Sequence, residues 1–516
     1  MNTLQQIQER CGNYPDSIAY ITQGGALTYG ELWRQSTALS AWLIDKLGSS
    51  GPPIIVYGHM QVELPVCLLA CALAGRAYIP IDESTPYERI DKIIDSSCAA
   101  LMISAAEAKQ ENFKSRIPII DVASIGQIIH DSVDGMSPVS PVPASVKGAD
   151  NFYIIYTSGS TGDPKGVQIS ADNLDSFVGW MNTSLPFTEQ DVVLNQAPFS
   201  FDLSVMNFYP ALVGGAALWA LNSQLTEQPE EMFSELQDSG LTCWVSTPSF
   251  AEVCLMNRIF DDKLLPSLRT FLFCGEQLSA GTVKKLMQRF PNAKVINTYG
   301  PTEATVAMTS VVITQEHLAA SLLPAGKCKP KSRILIVDSD GKETDEGEQG
   351  EIIIAGHGVS KGYLGQDELT EKSFFSIEDE ELGVVRAYRT GDIGYIKDGL
   401  LYCCGRADSQ IKYNGYRIEL EEIQFHVEQI EGVKGAAVVP LVRNGKCVLL
   451  SAMVVTERKD EEEEQIMRRI KRRLAETLPS YMIPHKIIIL DRLPLTQNGK
   501  LDAKRLRERL VEEISR

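Results

Sequence analysis

The sequence predicts an α/β chain with a large N-terminal domain of two doubly wound α/β subdomains plus a small β-rich subdomain, followed by a small α+β C-terminal domain. Three observations carry that expectation. First, apolar runs of strand length alternate with helical runs, from Ile54-Ile55-Val56-Tyr57 to Phe271-Leu272-Phe273, and such alternation implies parallel sheets. Second, glycines punctuate β-like segments between Gly347 and Gly365, among them Gly350-Glu351-Ile352-Ile353-Ile354-Ala355-Gly356. Third, the formal charge changes character near residue 408: it is −21 for residues 1–408 and +3 for 409–516, together the −18 of the whole chain.

The opening segment reads as helix to about Cys11, then Ser17 to Ile21 as a strand ending at the Gly24-Gly25 turn. Thr28 followed by Glu31 is a capping box at the start of the next helix. Strand Ile54–Tyr57 leads into a helix through Leu64–Ala74 and then into Ala77-Tyr78-Ile79-Pro80-Ile81. A proline-rich loop, residues 137–143, separates this first run of α/β units from a second. The 516 residues suffice for more than one core. With 44% hydrophobic and 22% charged residues the composition is that of a soluble globular protein, and the acidic balance argues against nucleic acid as the main partner. Eleven cysteines include no Cys-x-x-Cys pair and no Cys/His cluster, so reduced thiols are the simpler reading. No signal segment opens the chain, and the apolar run from Val66 to Ala74 is too short to span a bilayer. A cytoplasmic enzyme without membrane insertion is expected.

The densest chemistry follows the apolar run Phe152–Tyr156. Thr157, Ser158, Gly159, Ser160, Thr161, Gly162, Asp163, Pro164, Lys165 and Gly166 supply glycines, hydroxyls and one lysine. Glycine lets backbone N–H groups approach an anion, and hydroxyls and lysine add donors, which is the chemistry of a polyphosphate cradle. It is not the common P-loop, whose Gly-Lys precedes Ser or Thr at a helix start. Further on stand a carboxylate in an apolar setting, Phe199-Ser200-Phe201-Asp202-Leu203-Ser204, and a tyrosine–glycine–proline run, Asn297 to Val306. Taken alone, this carboxylate reads first as part of a capped helix start, with Asp202 or Ser204 as the cap. Tyr388-Arg389-Thr390-Gly391-Asp392 and Gly405 to Glu419 complete the series, and Asn498-Gly499 marks a turn that would present Lys500.

These motifs, in this order over essentially the full length, resemble those of the adenylate-forming enzymes: acyl-CoA synthetases, luciferases and peptide-synthetase adenylation domains. The resemblance implies ATP and Mg²⁺, with Thr157–Lys165 around the pyrophosphate and Glu303 on the metal. It places adenosine near Asn297, Thr298, Tyr299, Gly300, Pro301 and Thr302, and the ribose at Asp392 and Arg406, with Cys403, Cys404 and Gly405 beside them. Phe199 stands where the acyl-CoA branch often has histidine nearby, which favours an amino-acid substrate. Asp202 would hold its ammonium, with Leu203, Met206, Cys274, Thr298 and Val306 around the side chain. Lys500 would be the catalytic lysine. The family's hinge matches Asp408, which makes residues 1–408 the core and 409–516 a mobile lid that alternately presents Lys500 and the segment Lys412–Gly415.

At finer grain, Val56–Met60, Asn195–Pro210, Ser246–Phe250 and Phe271–Glu276 resemble the branch that loads D-alanine onto the phosphopantetheine thiol of a D-alanyl carrier protein, for the lipoteichoic acid of Gram-positive walls. No carrier or thioesterase segment is attached, so a free-standing enzyme is expected. Another small amino acid, acyl transfer to coenzyme A, and a non-catalytic nucleotide sensor stay open. The run Glu461–Glu464 then Arg468–Arg473 reads equally as a solvated helix with a Glu464–Arg468 pair and as a docking face for an acidic carrier.

Overall fold

The computed structural model describes residues 1–133, 144–159, 162–320, 322–408, 410–443, 446–456, 462–494 and 501–515. Two sheets dominate a large N-terminal domain. The first has six strands in the order Ile119–Ile120, Leu101–Ser104, Ile54–Tyr57, Tyr78–Ile81, Asn151–Thr157 and Lys165–Ser170. All pairs are parallel except the last, where the strand before the glycine-rich loop and the strand after it form an antiparallel ladder. The second sheet has nine strands around a parallel centre of Ala217–Ala220, Val192–Asn195, Cys243–Ser246, Thr270–Phe273 and Lys294–Tyr299.

Local chemistry explains most of these elements. Helix Leu64–Leu73 is apolar on every side and wholly buried, as a helix sandwiched in a core must be. The capping box at Thr28 is formed: its hydroxyl accepts from the Glu31 N–H at 3.2 Å, and the Glu31 carboxylate accepts from the Thr28 N–H at 2.9 Å. The opening helix runs over Thr3–Asn13, two residues past the expected end. One placement goes beyond what sequence order suggests. Strand Ile18–Thr22, with its antiparallel neighbour Gly25–Thr28, does not join the sheet of Ile54–Tyr57; it pairs with Ala217–Ala220 near the edge of the second sheet. Short alternating strands state their own existence, not their distant partner.

A five-stranded antiparallel sheet, built from Ser332–Val337, Gly350–Gly356, Phe374–Asp379, Gly383–Lys397 and Leu400–Arg406, is the β-rich unit. Beyond it come the hairpin Gln410–Tyr413 and Tyr416–Glu419, a three-stranded sheet of Val433–Arg443, Lys446–Thr456 and Lys486–Ile489, and helices Leu420–Glu428, Glu463–Thr477 and Ala503–Ser515. This small C-terminal domain has its own apolar core, with Ile418, Ile423, Leu450, Ile470 and Met482. Helix Glu463–Thr477 carries the expected Glu464–Arg468 pair, and Arg473 reaches across to Glu88 of the large domain.

Candidate active site

The loop after strand Asn151–Thr157 is held by neighbours on both sides. Gly162 adopts a φ of +86°, open to glycine at no steric cost, and a Cβ there would stand 2.5 Å from the Phe425 ring of the C-terminal domain. The Ser158 hydroxyl donates to the Arg417 carbonyl at 2.7 Å, and the Gly159 N–H donates to the Glu422 carboxylate at 3.0 Å. Lys165 opens the return strand and is buried, 3.9 Å from Glu303 and 3.6 Å from Glu419. Burial pushes the Lys165 ammonium down, as does neighbouring Arg417, and the two carboxylates oppose them. Ser160 and Thr161 lie outside the described residues.

Glu303 is fully buried in the short turn Thr302–Ala304 that follows Pro301. The Tyr363 hydroxyl donates to one of its oxygens at 2.8 Å, and the Arg417 guanidinium pairs with the other. Burial alone would raise this carboxyl, but Arg417, Lys165 and Tyr363 hold it down at about 2. It is therefore an ionised, hard oxygen donor at the end of the loop.

A cavity of about 550 Å³ opens beside strand Lys294–Tyr299. Asn297, Thr298, Tyr299, Gly300, Asp392, Cys403, Cys404, Gly405, Arg406, Asp408 and Lys412 all line it. The adjacent cysteines thus stand in the wall of this cavity; neither is bonded to another cysteine. Asp392 accepts from the Tyr299 hydroxyl at 2.6 Å and from Arg406 at 2.7 Å. Arg406 grips Asp408 with two further N–H groups, at 2.7 and 2.6 Å, a fork that fixes the guanidinium plane. Gly300 is a close-approach position, because a Cβ there would lie 2.6 Å from the Ala307 backbone.

The apolar end lies nearby. Leu203, Met206, Cys274, Tyr299 and Val306 belong to one cluster of buried side chains. Asp202 occupies the cap position of helix Leu203–Gly214, yet its side chain makes no capping bond, so the helix-cap reading of this carboxylate does not hold. Burial pushes its carboxyl up to about 6; the Thr302 side chain pulls against this, and the charge of Glu303 adds to it. Among the described residues Asp202 has no ion-pair partner within 4.0 Å, only Lys412 and Arg417 acting at longer range. Thr305 and Val306 both adopt left-handed backbone, with φ of 58° and 67°. The Ala307 N–H closes a tight turn onto the Thr305 carbonyl at 2.8 Å, leaving the Val306 carbonyl to accept the Cys274 thiol at 3.7 Å. A β-branched residue held at positive φ costs on the order of 1–3 kcal/mol and marks a backbone fixed for a purpose. Thr298 donates to the Phe273 carbonyl at 2.7 Å, beside Cys274.

The hairpin at 410–419 is inserted into this site. Asn414 and Gly415 both have positive φ, 50° and 87°, as a two-residue turn between right-twisted strands requires. The Gly415 N–H donates to Glu276 at 2.7 Å, and a Cβ on Gly415 would stand 2.3 Å from Thr247. Lys412 lies 5.4 Å from the centre of the Tyr299 ring. Lys500 lies outside the described residues. Sequence reasoning had not singled out Glu276, Tyr363, Arg417, Glu419 or Glu422 as site residues. All but Glu422 stand in motifs quoted for other reasons, and no local pattern says that they converge from three well-separated segments of the chain.

The model of the AMP-binding enzyme family matches residues 7–364, and that of the AMP-binding enzyme C-terminal domain matches residues 422–500. The chain therefore belongs to the AMP-binding enzyme family, an adenylate-forming class that uses ATP. It is 46% identical to a D-alanine–D-alanyl carrier protein ligase of Bacillus licheniformis, over 99% of this chain and 100% of that one. Among solved structures, the Vibrio cholerae adenylation domain AlmE, in complex with glycyl-adenosine-5'-phosphate, matches with a TM-score of 0.85 at 25% identity over 99% of this chain and 98% of that one. An NRPS protein containing adenylation and PCP domains, bound to a vinylsulfonamide inhibitor, matches with a TM-score of 0.82 at 26% identity, covering 98% of this chain and 84% of that chain. No helix among the described residues is long and apolar enough to cross a membrane.

Proposed function

We propose that this chain is an AMP-forming ligase that activates D-alanine as D-alanyl-adenylate and transfers the D-alanyl group to the phosphopantetheine thiol of a D-alanyl carrier protein. Its place is the cytoplasm, where it serves D-alanylation of lipoteichoic acid. The full-length likeness to the Bacillus ligase supports the reaction. The observation that carries the substrate is Asp202, a buried carboxylate pushed up to about 6 in an apolar wall with no ion-pair partner among the described residues. A carboxylate so placed needs a cation, and a substrate α-ammonium supplies one.

In the first half-reaction a D-alanine carboxylate oxygen attacks the α-phosphorus of ATP, and pyrophosphate leaves. Asp202 fixes the ammonium, while Leu203, Met206, Cys274, Thr298 and Val306 bound the methyl. Thr157–Lys165 cradles the leaving group, Asp392 and Arg406 hold the ribose, and adenine lies against Tyr299. Lys500 places a compact cation between the entering carboxylate and the α-phosphate, where charge builds. Glu303 fits Mg²⁺, because its carboxyl is kept ionised at the end of the loop and magnesium takes one or two carboxylates plus phosphate oxygens and water. When bound there, the ion neutralises charge on the phosphates.

In the second half-reaction residues 409–516 turn about Asp408 as a lid. Lys500 withdraws, and the hairpin with Lys412 and Gly415 enters, so that the thiol attacks the acyl carbonyl and AMP leaves. The inserted hairpin, with Gly415 on Glu276, supports this as a second orientation of the lid. Pyrophosphate exchange into ATP across a panel of D- and L-amino acids tests the reading. D-alanine should give the highest exchange; exchange driven only by fatty or aryl acids would overturn it.

A further inference from the structure

Gly159, Ser158 and Lys165 of the phosphate loop, and the Glu303 carboxylate, are all met by groups of the C-terminal domain. The Gly159 N–H donates to Glu422 at 3.0 Å, and the other Glu422 oxygen pairs with Arg89 at 2.5 Å. Glu419 stands 3.6 Å from Lys165, and its own N–H donates to the Ser158 hydroxyl at 3.1 Å. Arg417 pairs with Glu303 and also donates to the Tyr388 hydroxyl at 3.3 Å. Glu303 and Glu422 have no exposed surface, and Lys165 and Arg89 are buried. One carboxylate therefore meets the Gly159 N–H, a second stands beside the lysine, and a cation meets Glu303.

We infer that Glu422, Glu419 and Arg417 form a built-in substitute for metal-bound pyrophosphate, so that docking of the hairpin and occupation of the loop by pyrophosphate exclude one another by competing for the same counter-charges. The inference rests on the reading that this loop cradles the polyphosphate. Its physical basis is that Lys165 and Glu303 are fixed in the large domain and buried. Without a partner, either charge would carry a heavy desolvation penalty. Carboxylate oxygens are pure acceptors, as phosphate oxygens are, so Glu422 satisfies the Gly159 N–H as a phosphate oxygen would. Arg417 brings positive charge to Glu303, as the metal would. When pyrophosphate departs, the loop and Glu303 exchange one set of ions for another rather than being left with only the 3.9 Å Lys165–Glu303 contact. The same exchange makes pyrophosphate an antagonist of the hairpin-in orientation.

Hydrogen exchange on the full-length protein, without amino acid or nucleotide so that no chemistry occurs, tests this. Deuterium uptake in peptides covering residues 410–422 is followed while magnesium pyrophosphate is titrated, with magnesium alone as control, and pyrophosphate binding is measured separately by calorimetry. In wild type, uptake should rise with pyrophosphate. In Glu422→Gln the midpoint should fall by at least about tenfold, since removing one partner of a buried pair weakens docking. Glu419→Gln, at a less buried pair, should move the midpoint in the same direction and serves if the first variant fails to fold. Binding of pyrophosphate with no rise in uptake, or equal midpoints in wild type and variants, would overturn the inference alone. Failure of pyrophosphate to bind would overturn it together with the reading of the loop.

Discussion

The two ends of the site differ in how their charges are met. At the phosphate end Lys165, Glu303, Arg417, Glu419, Glu422 and Arg89 form a network in which each charge has an opposite one within 4.0 Å. At the amino-acid end Asp202 is buried among apolar side chains without an ion pair, and its carboxyl is pushed up to about 6. On the proposed reading, the first end exchanges protein ions for substrate ions, and the second keeps one charge in deficit until a ligand brings the other. A static charge network need not be catalytic, and an isolated buried carboxylate is hard to explain structurally, so the poorer-looking end is the more informative about the substrate.

The largest expected effect sharpens the phosphate end. Lys500→Ala should lower adenylate formation by about 10²–10³-fold, the scale of losing one transition-state donor, with ATP affinity changed far less. Single-turnover adenylation alongside ATP binding checks both; near-normal exchange in the variant would remove Lys500 from the chemistry. At the other end, Asp202→Asn should raise the D-alanine KM by about 10-fold or more while the ATP KM stays near wild type, as expected for loss of a charged hydrogen-bonding partner. The same change should raise the melting temperature of the ligand-free protein. Asp202 has a folded pKa of about 6 against an ordinary 3.8, so ionising it at neutral pH works against folding, and that penalty builds as pH rises through this interval. A variant that loses stability would mark Asp202 as a structural residue.

Cys274→Ala bears on selectivity. The buried thiol stands against Thr298 and Val306, and in the proposed binding mode one of the two remaining substituents of a tetrahedral Cα falls there. Filling that position excludes one isomer by a clash. A steric difference of one methyl is worth about 10–200-fold in kcat/KM, which bounds the change expected in the D/L ratio, chiefly through gained L-alanine activity. An unchanged ratio would move the discrimination to Met206 or Val306. The smallest effect belongs to helix Glu463–Thr477. Arg473 is engaged by Glu88, whereas Arg472 is exposed. Charge reversal at Arg472 should therefore slow transfer to the carrier by only about two- to five-fold, more at low salt, and leave adenylation alone. Equal transfer at low and high salt would leave the helix as a solvated face.

What could be read from the chain follows the range of the interaction. The Thr28 capping box and the strand before the glycine-rich loop are set within a few residues, and their patterns stated them; the Asn414-Gly415 turn is just as local but was not read from the sequence. The pairing of Ile18–Thr22 with Ala217–Ala220 depends on a partner some two hundred residues away, and no local pattern encodes it. The same holds for Glu422 on Gly159, 263 residues apart, and Gly415 on Glu276, 139 apart. Asp202 is a mixed case. Its motif drew attention to it, but the choice between a helix cap and a buried carboxylate without an ion pair needed the missing capping bond. Cys403 and Cys404 had no reading from sequence beyond their place in the resemblance; the cavity they line gives them one.

The central claim is that the Asp202 carboxylate meets the substrate ammonium, and the pH dependence of kcat/KM for D-alanine tests it most directly. Below about pH 6 the free enzyme holds Asp202 protonated and loses that partner. The account predicts that kcat/KM falls as pH drops through about 6, that the KM for ATP shows no matching change, and that the inflection is absent in Asp202→Asn. An inflection of the same size and position in the variant would contradict it.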